Sequence, residues 1–72
     1  LENPVKLSAR NVLKGKILEV HKGSTTAHVV IDVNGTHITA SITNEAVDDL
    51  KLKAGMEASA VIKSSDVMVA VA

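Results

Sequence analysis

Apolar and polar residues alternate most regularly on either side of Asn34-Gly35. Before that dipeptide, Ala27, Val29, Ile31 and Val33 interleave with Thr26, His28, Val30 and Asp32. After it, Ile38, Ala40 and Ile42 interleave with His37, Thr39 and Ser41. A period of two is the signature of a strand with one covered face. Asn-Gly best tolerates the positive φ angles of a type I′ hairpin turn. A two-residue loop sets Val33 opposite Thr36, Ile31 opposite Ile38, Val29 opposite Ala40 and Ala27 opposite Ile42. The apolar pairs then share one face, while Asp32–His37 and His28–Ser41 share the other. Turn chemistry and periodicity select the same register.

The flanking segments follow the same logic less cleanly. Residues 12–21 predict a long first strand. Leu13, Gly15 and Ile17 fall on one parity but Leu18 and Val20 on the other, which with Gly15 indicates a bend or bulge. Lys22-Gly23-Ser24 is the turn that follows. Beyond Ile42, Thr43 or Asn44 can cap a short helix that has Glu45 in its first turn and Val47 and Leu50 on one face. Residues 51–55 form its exit turn, in which Gly55 supplies a special backbone angle. A fourth strand is expected at about residues 56–63, with Ala58, Ala60 and Ile62 inward. The polar break Ser64-Ser65-Asp66 precedes a fifth strand at 67–71. The expected fold is all-β: a five-stranded OB-like small barrel with one short helix between strands 3 and 4. The last strand is apolar on both faces, so it is either central or covered by another subunit; we favour the subunit.

Composition sharpens this picture. Hydrophobic residues make up 46% of the chain, yet Phe, Tyr and Trp are absent, so the core must be built from Val, Ile, Leu, Ala and Met. A 72-residue chain buries a modest fraction of its surface and usually needs a staple. With no cysteine there are no disulfides, and the three histidines are dispersed. Oligomerisation is the staple that remains. A formal charge of zero and the lack of aromatic platforms argue against nucleic-acid binding. No apolar run reaches membrane-spanning length and no signal-peptide pattern opens the chain, so the expectation is a soluble cytoplasmic protein. The chain begins with Leu1, and we expect a processed product or an excised part of something longer. Residues 1–6 read as a leader or linker and residues 7–72 as the domain.

Four constellations could carry chemistry. Ser8-Ala9-Arg10-Asn11 offers a hydroxyl, a guanidinium and an amide ahead of the first strand; alone, it more often reads as a strand lead-in with a solvated Arg. Lys63-Ser64-Ser65 offers an ammonium, two hydroxyls and turn amides; alone, it reads as a polar turn. His28, Asp32 and His37 have metal-ligating side chains, but on a solvated hairpin face such pairs are common without a metal. Glu45, Asp48 and Asp49 could do acid–base work, although Glu45 suits the helix dipole and the Asp pair suits a solvated surface. His21 stands alone at a strand end. No nucleophile–base–orienter set is visible, and we expect a protein that is not an enzyme.

Taken together, the first two constellations resemble a known family. Ser8-Ala9-Arg10-Asn11 followed by Leu13-Lys14-Gly15-Lys16 resembles the opening signature of the molbindins, small proteins built from the Mop (TOBE-type) domain. Ile42-Thr43-Asn44-Glu45-Ala46-Val47, Leu52-Lys53-Ala54-Gly55 and the ending Ala60-Val61-Ile62-Lys63-Ser64-Ser65-Asp66-Val67-Met68-Val69 match as well. The resemblance runs from about Lys6 to Ala72. It implies molybdate or tungstate bound as the oxyanion at subunit interfaces of a homo-oligomer, a hexamer described as a trimer of dimers. It also implies a site drawn from Ser8, Arg10 and Lys63, with Ala9, Asn11, Ser64 and Ser65 around it; the family often has Ala where this chain has Ser64. The implied role is intracellular molybdenum storage, homeostasis or sensing. The alternatives are an excised regulatory domain of a molybdate-responsive transcription factor or transporter ATPase, and a purely structural oligomerisation domain.

A tetrahedral dianion suits these side chains. It has four acceptor oxygens and no donors at neutral pH, so it needs N–H and O–H groups and compensating charge. Arg10 supplies a planar fork of donors and Lys63 a point charge, while Ser8 and turn amides can reach the remaining oxygens.

Overall fold

A computed structural model describes residues 10–72. Residues 1–9, and with them the expected leader at 1–6 and the candidate site residues Ser8 and Ala9, lie outside the described residues. In chain order the elements are β1 (Asn11–Lys22), β2 (Thr26–Val33), β3 (Thr36–Thr43), a helix α1 (Asn44–Leu50) and β4 (Glu57–Ile62). A single 3-10 turn, Ser64–Asp66, follows β4. The four strands form one antiparallel sheet in the order β3-β2-β1-β4.

The hairpin adopts the register that its alternation requires. Val33 faces Thr36, Ile31 faces Ile38, Val29 faces Ala40 and Ala27 faces Ile42. Asn34 and Gly35 take φ values of 51° and 92°, as a type I′ turn needs. Ala27, Val29 and Ile31 are buried, and their cross-strand partners Ala40, Ile42 and Ile38 are half-buried on the same face.

Strand β1 is long enough to serve two partners. Residues Lys16 to Lys22 pair with β2, and Asn11 to Lys16 pair with β4. Lys16 belongs to both ladders, set between Asp32 on one side and Glu57 on the other, an arrangement of alternating charge that favours the pairing. The phase slip marks a bulge between Ile17 and Glu19 that leaves Leu18 unpaired with β2. Ile17 stays buried while Leu18 and Glu19 both lie exposed, and Val20 returns to the covered face. Gly15 is therefore not the bulge. Its lack of a Cβ lets β1 lie close over β2: a Cβ there would collide with the Asp32 carbonyl oxygen and come within 2.8 Å of Ile31 Cγ2.

The helix closes the covered face. The Thr43 hydroxyl caps it by accepting from the Ala46 amide at 3.0 Å. Val47 is buried against the sheet, with Leu52 and Met56 packed at the margin. Lys51 ends the helix in the left-handed region at φ 55°, its amide donating to Asp48 O. Gly55 follows at φ 89°. The connection is then pinned to β1 by two bonds at Ile17: its amide donates to Met56 O and its carbonyl accepts from Gly55 N–H, both at 2.8 Å.

The fifth strand expected at residues 67–71 does not form. Among the described residues the sheet has four strands, and 67–71 carry no ladder. Val67 keeps an extended backbone (φ −94°, ψ 125°), but Met68, Val69 and Val71 are about nine-tenths exposed. β-branched residues express a preference for a pleated, covered surface, and within one chain nothing described covers them. The sheet accordingly stays open, with β3 and β4 at its edges.

Gly15→Ala is expected to destabilise the fold by about 1–3 kcal/mol, because the β1–β2 backbone contact leaves no room to relax. Urea denaturation checks this; an unchanged midpoint would mean that the two strands can separate at Gly15 without cost.

Candidate functional site

Antiparallel pairing of β1 with β4 brings the beginning of the domain to its end. The ladder runs from Lys16–Glu57 outward to Asn11–Ile62. The next residues beyond that outermost rung are Arg10 on one strand and Lys63 on the other, and both are exposed. Two motifs about fifty residues apart in sequence thus share one end of the sheet.

A side-chain bond fastens this end. Asn11 Nδ2–H donates to the carbonyl oxygen of Ile62 at 3.1 Å, across 51 residues, in a partly buried position. Lys63 is extended (φ −66°, ψ 144°), and the chain then tightens into the 3-10 turn. The amide of Asp66 donates to Lys63 O at 2.9 Å and that of Val67 to Ser64 O at 3.3 Å. The amides of Ser64 and Ser65 take no part in those two bonds. Arg10, Lys63, Ser64 and Ser65 are all exposed and make up the rim at this end of the sheet, where Asn11 is half-buried. Ser8 and Ala9 lie outside the described residues.

The rim concentrates donors and positive charge. Guanidinium, ammonium and two hydroxyls can all donate to an anion; Asp66, in the same turn, is the opposing charge. Exposure means high effective dielectric, so a single chain presents these groups in their weakest electrostatic setting. Covering the rim would strengthen every one of these interactions.

The other expected constellations resolve into surface pairs. His37 Nε2 lies 3.5 Å from Asp32 Oδ1, both toward solvent. His28 sits opposite His21 on β1 and Ser41 on β3, four residues from Asp32 along β2. Among the described residues, no three His, Asp or Glu side chains converge as a metal site requires. His21 meets Glu19 through Nε2 and Oε1 at 2.5 Å, and Asp48 takes an ion pair from Lys22. Glu45 occupies the first turn of α1, as its charge favours.

Sequence reasoning missed two features. Lys22, Lys51 and Lys53 border an open groove floored by Val20, Val47 and Leu52. Lys14 and Lys16 border another with Asp32, Glu57 and Ser59. The first could be suspected only from Lys51-Leu52-Lys53 after the helix, the second only from the alternation of Lys14 and Lys16. Neither groove includes Arg10 or Lys63.

Comparison with known proteins is consistent from sequence to structure. Residues 7–69 match the TOBE domain. The chain is 48% identical over 64 residues to molybdenum-pterin-binding protein 3 of Clostridium pasteurianum, covering 88% of this chain and 94% of that protein. A molybdate-binding protein from Sporomusa ovata superposes with a TM-score of 0.89 at 36% identity, over 93% of this chain and all of the other. The cytoplasmic molybdate-binding protein ModG, solved with molybdate bound, gives a TM-score of 0.84 at 46% identity, over 89% of this chain and 46% of ModG.

Proposed function

The chain belongs to the TOBE domain family, and from that premise we propose that it binds molybdate or tungstate at sites formed between copies of itself. The observation that carries this reading is the outer end of the β1–β4 ladder, where Arg10 and Lys63 follow directly from the Asn11–Ile62 rung. Arg10 gives paired donors to one edge of the oxyanion, and Lys63 neutralises charge on another. The hydroxyls and amides of Ser64 and Ser65, with Ser8 and the backbone at Ala9, complete the cradle. The group bound is the bare oxyanion: a pterin ring calls for stacking surfaces, and the chain has no aromatic residue.

The unpartnered apolar segment supports assembly. Met68, Val69 and Val71 are exposed on a short chain whose buried core, among the described residues, is six small or branched residues. A second copy covers this segment, supplies the ladder that completes a five-stranded OB-like barrel, and encloses the exposed rim. The full assembly is a homohexamer built as a trimer of dimers. Arg10 and Lys63 repel each other in an empty, enclosed site, and a dianion removes that repulsion, so binding and assembly reinforce each other. The role is that of a cytoplasmic binding protein for molybdenum storage, homeostasis or sensing rather than an enzyme, because the assembled groups are donors and charges suited to holding an anion.

Arg10→Ala is expected to weaken molybdate binding by at least about tenfold, since a charge-assisted pair of donors is lost. Calorimetric titration measures it, with circular dichroism showing that the sheet is retained. An unchanged titration removes Arg10 from the site. Val69→Lys is expected to shift the oligomer toward smaller species on size-exclusion chromatography, because a charge would have to be buried at the interface. An unaltered elution would exclude residues 67–71 from the contact.

A further inference from the structure

Asn11 stands between the two halves of this site without sharing the exposure of its neighbours. It is half-buried where Arg10 and Lys63 are exposed. One Nδ2–H of its amide donates to the Ile62 carbonyl at 3.1 Å. The bond links the residue next to Arg10 with the residue next to Lys63, and it lies at the last rung of the ladder.

Resting on the oxyanion reading above, we propose that Asn11 is a positioning residue of the site: its hydrogen bond fixes how Lys63 and the following turn stand against Arg10. Three physical points carry this. First, a trans peptide is planar, with C=O and N–H pointing in opposite directions. Holding the Ile62 carbonyl toward β1 therefore turns the Lys63 amide away from β1 and sets the direction in which the chain enters the 3-10 turn. Second, strand ends fray, since the outermost rung has support on one side only. Arg10 and Lys63 carry like charges just beyond that rung, and their repulsion favours fraying further. A side-chain bond at the rung opposes it. Third, a site whose donors are held in place before the ligand arrives loses less free energy to ordering when it binds. Asn11 thus acts through Arg10 and Lys63, with its Nδ2 directed to the protein backbone.

A double-mutant cycle separates this role from direct ligation. Molybdate affinity is measured by calorimetry for the unmodified chain, Asn11→Ala, Arg10→Ala and the double variant, each confirmed as the same oligomer by size-exclusion chromatography. Asn11→Ala is expected to weaken binding about fivefold, the scale of one hydrogen bond. In the Arg10→Ala background the further loss is expected to shrink to less than about twofold, because there is no longer an Arg10–Lys63 geometry to maintain. An undiminished loss in that background would mean that Asn11 contacts the anion itself, and would overturn the proposal. Asn11→Leu, close in volume and without a donor, enters the same cycle so that a folding defect in the alanine variant does not decide the matter. Should Asn11→Leu bind like the unmodified chain, the hydrogen bond does not position the site. If the unmodified chain takes up no molybdate, the oxyanion reading itself fails, an outcome distinct from either of these.

Discussion

The pairing of β1 with two different strands is the constraint on which the rest of the structure depends. Its second half continues the hairpin sheet through β2, its first half carries β4, and Lys16 is the residue at which the two ladders meet. For both ladders to be satisfied, β1 must bend over the covered face and pass close to β2. The bulge at Leu18 provides the bend, and Gly15 permits the close approach to the Asp32 carbonyl. That geometry covers Ile17 and Ala60 with Val47 from the helix. It also fixes where the chain's two chemically loaded segments end up, because an antiparallel partner of the first strand must finish where that strand begins.

Local signals made much of this legible in the sequence. The hairpin was readable in full, since Asn34-Gly35 and strict alternation each specify the same register, and the helix start was readable as a cap at Thr43 or Asn44, of which Thr43 is the one that caps. The broken alternation between Ile17 and Val20 announced a bulge, yet it drew attention to Gly15, whose role is steric and depends on a strand distant in sequence. Lys51 gave no warning of its left-handed conformation, because a lysine carries no mark for positive φ and the neighbouring Gly55 was the more obvious candidate. Residues 67–71 were legible only as a surface that wants covering. Periodicity reports burial and is silent on whose atoms do the burying, so the fifth strand was expected where a single chain offers no ladder.

The site was legible in a different way. Ser8-Ala9-Arg10-Asn11 and Lys63-Ser64-Ser65 are each unremarkable, and no local rule says that they meet. Their resemblance to a family put them together; the β1–β4 register gives the physical reason for Arg10 and Lys63. Asn11 shows the limit of reading a motif by residue type, since one donor of an amide that could serve an anion is bonded to the backbone of Ile62. Size connects these observations. Among the described residues, six buried side chains, none aromatic, make a small core, and in the proposed assembly the exposed apolar residues at 67–71 add by association what folding alone does not. In this account the same association encloses the charged rim, so stability and anion binding draw on one interface.

Native mass spectrometry of the chain with added molybdate, and with sulfate as the control, tests this account most directly because it reads assembly and uptake in one spectrum. The account predicts a discrete oligomer, a hexamer, that acquires several molybdates and little sulfate. A monomer, or an oligomer whose mass is indifferent to molybdate, would contradict it and leave residues 67–71 and the Arg10–Lys63 rim as features of a purely structural domain.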